Sequence, residues 1–83
     1  MDNEKTFKEE IKVTGHQLVE TVKKLVHEGN VRRLIIKNEA GETMIEIPVT
    51  FATVGALLLP VLAAIGAIAA LATHCTIEVI KVK

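Results

Sequence analysis

The residues of this chain most suited to chemistry are few and scattered. His74 and Cys75 are adjacent, but two neighbours cannot supply a four-ligand metal site, and no CxxC or HxxxH spacing accompanies them. The reading for the pair is a helix exit, where a histidine meets the negative dipole end and a cysteine packs as a small apolar group. His16 and His27 fall on one side of a predicted helix, yet eleven residues separate them by about 16 Å, too far to share a metal. Lys23-Lys24 and Arg32-Arg33 form a basic cluster diluted by Glu20, Glu28 and Glu39, which reads as a mixed solvated surface. Gly29-Asn30 and Gly41 are isolated, unlike the GxxxxGK[ST] loop that cradles phosphates. The chain has no Ser, Trp or Tyr, and its sole Asp is Asp2. This alphabet argues against an enzyme: no catalytic residue, metal ligand or cofactor site is assigned.

Composition narrows the classes further. Eighty-three residues make one domain, spanning 1–83, and ten basic residues balance ten acidic ones. Without net charge there is no electrostatic footprint for nucleic acid, and the middle strands carry no aromatics for stacking RNA bases. A single cysteine allows no intrachain disulfide, and the start MDNEKTFKEE has neither the basic end nor the apolar run of a secretory signal. Cytoplasmic residence is the expectation.

The elements that would position these residues follow from periodicity. Phe7, Glu9, Ile11 and Val13 alternate with Lys8, Glu10 and Lys12, as in a half-buried strand; residues 1–5 read as a flexible arm. Thr14 and Gln17 have capping-box spacing, and Leu18, Val19, Val22, Leu25 and Val26 form the apolar stripe of a first helix. Gly29-Asn30 sits where a left-handed helix cap belongs. Val31–Lys37 and Thr43–Val49 read as a hairpin joined by a polar link whose Gly41 can take positive φ; Pro48 puts the second strand at an edge or ends it. Thr76–Val82 is the last strand. The order β-α-β-β-α-β specifies an α+β, ferredoxin-like four-stranded antiparallel sheet with two helices.

The second helix dominates the reading. Between Glu46 and Glu78 no residue carries a formal charge, and residues 51–73 read as one long apolar helix rich in Ala and Gly. At about 100° per residue, Leu58, Val61, Leu62, Ile65 and Ile68 collect on a bulky side suited to core and sheet packing. Ala52, Ala56, Ala63, Gly66, Ala67 and Ala70 collect on the opposite, smooth side, where small residues spaced by four let a second helix approach closely. A domain this small cannot wrap such a helix by itself. The leading expectation is therefore a non-enzymatic, self-assembling homo-oligomer, a ring, tube, filament or shell joined through this helix and the free sheet edges. Both sheet faces carry some apolar surface, with Leu34 and Ile36 on one and Ile35 on the other, so copies could meet there too. One alternative is a membrane-associated protein anchored in lipid by residues 51–72, which would extend about 33 Å as a helix. Another is a small module that holds an apolar ligand against the bulky face. Pro60 either kinks the helix or splits it, and a split weakens the membrane alternative.

Several stretches together carry a family likeness: IKVTGHQLVETVKKLVHEGNVRRLIIKN, ETMIEIPVT, VGALLLPVLAAIGAIAAL and CTIEV. From about Phe7 to Val79 the chain resembles a small bacterial domain-of-unknown-function family, number 4342. His16 and His74 stand where that pattern more commonly has an acidic or polar residue. The resemblance implies a bacterial, non-secreted protein with an apolar second helix, and it brings no activity and no catalytic residues.

Overall fold

A computed structural model describes residues 5–83, with the side chains of Phe51 and Ala52 outside the described set. The chain forms β1 (Thr6–Thr14), α1 (Gly15–His27), β2 (Val31–Lys37), β3 (Thr43–Pro48), α2 (Phe51–Val54), α3 (Leu58–Leu71) and β4 (His74–Val82). The strands make one antiparallel sheet in the order β1-β4-β2-β3, the α+β, ferredoxin-like arrangement expected from the β-α-β-β-α-β pattern. The last strand lies inside the sheet, so each helical crossover joins two strands separated by a third.

β1 pairs with β4 along its whole length, from Thr6 opposite Val82 to Thr14 opposite His74. Glu9, out of place on the apolar side of β1, is neutralised at the sheet edge by the Lys81 ammonium at 3.0 Å. Of the N-terminal arm, residues 1–4 lie outside the described residues, and the Lys5 carbonyl accepts the Lys83 N–H at 3.0 Å. Gln17 Oε1 accepts the Thr14 N–H at 3.3 Å, so the capping-box spacing does open α1. At the other end the expected left-handed glycine is not used. Glu28 is extended and its N–H returns to the Leu25 carbonyl at 3.1 Å, whereas the positive φ falls at Gly41, +85°, in the β2–β3 turn. Pro48, with no N–H to give a ladder, closes the edge strand β3.

The core lies between the helices and one face of the sheet. Leu18, Val22, Leu25 and Val26 of α1 and Ile65 of α3 are buried against Leu34, Ile36, Ile47, Cys75, Ile77 and Val79. The opposite face is charged in rows that run across the strands. Lys8, Ile80, Arg33 and Pro48 are in register, then Glu10, Glu78, Ile35 and Glu46, then Lys12, Thr76, Lys37 and Thr43. Opposite charges in adjacent rows pair: Arg33 with Glu46 at 2.8 Å, Lys8 with Glu78 at 3.8 Å, and Lys37 with Glu78. The apolar residues on this face, Ile35, Pro48, Ile80 and Val82, lie among ion pairs.

The apolar segment is not one helix. Thr50 Oγ1 accepts the Thr53 N–H at 3.2 Å and starts α2, which stops at Val54; the chain turns through Gly55–Leu57 and restarts as α3. Pro60 explains the break. Within the first turn of α3 its missing N–H has no intrahelical partner to lose, whereas in an unbroken helix it would delete a bond and clash with the preceding turn. The fourteen residues of α3 extend about 21 Å. Among the described residues no helix is long and apolar enough to cross a membrane.

Candidate functional site

Every side chain that α3 offers is apolar, so the fold's only choice is which apolar face to bury. Ile65 is fully buried, and Leu58, Val61, Leu62, Ile68, Ala69 and Ala72 are half-buried against the same core. The bulky side predicted for core packing thus faces inward, leaving that side filled by the protein itself. Its main neighbour is α1, whose first residue, Gly15, donates its N–H to the Thr73 carbonyl, just past the end of α3, at 2.9 Å.

The outward face is the unusual feature. Ala63, Ala67 and Ala70 are exposed, Gly66 is half-buried, and Ala56 is exposed in the turn before α3. The Ala52 side chain lies outside the described residues. Leu59 is 78% and Leu71 91% exposed, with Leu57 at 50%. A surface helix of a small domain ordinarily shows charged groups to water. Here the solvent side holds no charge, no hydroxyl and no amide from Leu58 to Leu71. The leucines were not among the residues singled out for contact; their lone positions beside an alanine face were the signal that could have marked them.

The chemistry-bearing residues do not assemble. His74 and Cys75 are the first two residues of β4, not a helix exit, and consecutive strand residues face opposite ways. His74 Nδ1 lies 2.9 Å from Glu39 Oε1 on the surface. Cys75 is buried, and burial first, then the Glu39 charge, push its thiol above its ordinary value, which disfavours the thiolate a nucleophile or metal ligand needs. A cleft of about 330 Å³ runs beside them, lined by Lys12, Thr14, Gln17, Glu39 and Thr76. His16 and His27 are exposed on α1. Among the described residues no group of three or more His, Cys, Asp or Glu is placed to hold a metal. The basic cluster is dispersed: Lys23 faces Glu20 at 3.7 Å, Arg33 pairs with Glu46, and Arg32 Nη1 donates to the Gly29 carbonyl at 3.2 Å.

Comparison with known proteins gives no match among curated proteins and none among solved structures. A family does match, and it covers both the charged sheet and the apolar helices, residues 4–81. The chain belongs to the family described as a domain of unknown function, DUF4342.

Proposed function

We propose that this protein is a non-enzymatic, self-assembling structural protein whose copies associate through the outward face of α3. The observation that carries the reading is that this face is wholly apolar and exposed. Burying apolar surface gains roughly 25 cal/mol per Å², and contiguous apolar patches of this kind on small proteins mark interaction sites. The charged sheet face is the weaker candidate for contact, because Lys8, Lys37 and Arg33 already pair with Glu78 and Glu46 and would have to be desolvated. The sheet edges are also poor joints: β1 presents Lys8, Glu10 and Lys12, and β3 is short and ends in Pro48, features that discourage edge pairing.

Partners of this face are further copies of the chain. Smooth alanine surfaces admit a helix at short distance, and an identical α3 supplies one.

The test is the size of the pure protein without detergent, by light scattering coupled to gel filtration, and its appearance by negative-stain electron microscopy. Species of at least twice the 9.0 kDa monomer are expected, with Ala67→Lys returning the protein to monomer and leaving its circular dichroism unchanged. A wild-type chain that stays at 9.0 kDa up to high concentration overturns the proposal.

A further inference from the structure

We infer that two copies meet through α3 in an antiparallel, two-fold pair, with Leu59 of each seated over Ala70 of the other. The inference rests on the self-association proposed above and specifies its geometry. Leu59 and Leu71 are twelve residues apart, hence about 18 Å along the helix and about 120° around it. They stand at opposite ends and on opposite flanks of the outward face, the two most exposed leucines of the chain. Between them Pro60, Ala63, Ala67 and Ala70 form a low floor. Each end of the face therefore has one projection and one shallow place beside it.

A two-fold contact requires that what one copy offers, the other receives at the matching position. With the helices antiparallel, the level of residue 59 meets that of residue 70, and the two-fold keeps both on the same flank. Leu59 then lies opposite the partner's Ala70, and Leu71, level with the partner's residue 58, lies on the same flank as the partner's Pro60. In this register the level of Ala63 meets that of the partner's Gly66 near the axis, where small residues allow close approach.

Electrostatics selects this direction over the parallel one. Helix ends carry partial charges of about half a unit, positive at the N-terminus and negative at the C-terminus. α3 has no acidic residue in its first turn, no basic residue in its last and no side-chain cap. An antiparallel neighbour places the opposite end beside each of these uncompensated ends; a parallel one places like beside like. The area suffices. The outer half of a rod about 21 Å long and 12 Å across exposes roughly 500 Å² to a water-sized probe, so the pair buries roughly 1,000 Å², the lower bound for a specific contact.

Single variants Leu59→Cys and Ala70→Cys, both at exposed positions, test the geometry. Each is oxidised alone and as an equimolar mixture, and cross-links are identified by mass spectrometry after circular dichroism shows the variants folded. The unmodified chain, whose one thiol is the buried Cys75, is the blank. The mixture should yield the 59–70 disulfide in at least ten-fold excess over 59–59 and 70–70, since antiparallel pairing brings only the unlike positions within the roughly 7 Å between Cα atoms that a disulfide spans. Predominant 59–59 and 70–70 products overturn the antiparallel pair and replace it with a parallel one. If the wild type is oligomeric in light scattering but the mixture of variants gives no 59–70 product, the contact lies elsewhere and the inference is overturned, while self-association stands. A monomeric wild type overturns both.

Discussion

Gly15, the first residue of α1, lies against Ala72 at the exit of α3: a β-carbon built on Gly15 would stand 2.1 Å from the Ala72 carbonyl oxygen and 2.6 Å from that of Ala69. Backbone meets backbone here, so neither side can yield by changing rotamer. The contact fixes where the end of α3 crosses the start of α1, and with it which face of α3 points outward.

Gly15→Ala should therefore cost about 3 kcal/mol, the upper part of the range for overpacking, despite the better helix propensity of alanine. Gly66→Ala is the control. No atom lies within 4 Å of its added carbon, so it should raise stability by about 0.5–1 kcal/mol through propensity alone. Urea denaturation of both variants, at a concentration where each is in the same oligomeric state, checks the pair.

Ile65 is the one residue of α3 among those described that is completely enclosed. Ile65→Ala should lower stability by about 2–4 kcal/mol, the cost of lost burial and a residual cavity. Ala67→Lys, one helix face away, should leave monomer stability within about 0.5 kcal/mol, as surface changes do. Equal losses in thermal denaturation would show that the outward face is part of the monomer's own core.

Glu78 is 5% exposed in the middle of the charged sheet face. Its hydrogen bond from Lys37 is the largest influence on its carboxyl, with the Lys37 and Lys8 charges in support, and together they outweigh desolvation and hold the group below its ordinary value. A depressed carboxyl contributes stability that is fully present above the unfolded value, about 4.3, and is lost as pH falls through the lower folded one. Stability should thus decline on acidification from about pH 5. Lys37, raised chiefly by the same bond, contributes stability present below about 10.4 and lost as pH rises through its higher folded value. In Glu78→Gln both limbs of the stability profile should flatten. Unchanged acid and alkaline slopes in urea titrations at several pH values would remove the pair from the account.

Much of the fold is legible because local signals and tertiary structure agree. The stripe from Leu18 to Val26 and the aliphatic runs around Gly41 each turn one face to the core, and the alternation from Phe7 to Val13 does so at its Val13 end, so a period of two or of 3.6 is enough to name the element. The agreement fails where a local signal has more than one tertiary solution. Gly29 can cap α1 in the left-handed conformation, but Glu28 is extended and the chain enters β2 through a turn at Gly29 and Asn30, with no positive φ at Gly29. His74 and Cys75 belong to β4 because Thr14 and Val13 offer them partners on β1, a pairing sixty residues away in sequence.

The same division governs the candidate site. By itself the sequence determined that a long segment carries no charge and that its bulky and small residues lie on different sides of a helix. Composition and periodicity are local properties of the chain, so these follow without coordinates. Only the tertiary structure decided that the segment breaks before Leu58, that Ile65 faces the core while Ala63, Ala67 and Ala70 face out, and that Leu59 and Leu71 project at opposite ends. Those outcomes depend on competition for one limited interior. The sheet can accept the bulky face of only part of the segment, Gly15 sets the angle at which it is accepted, and whatever surface loses that competition stays exposed.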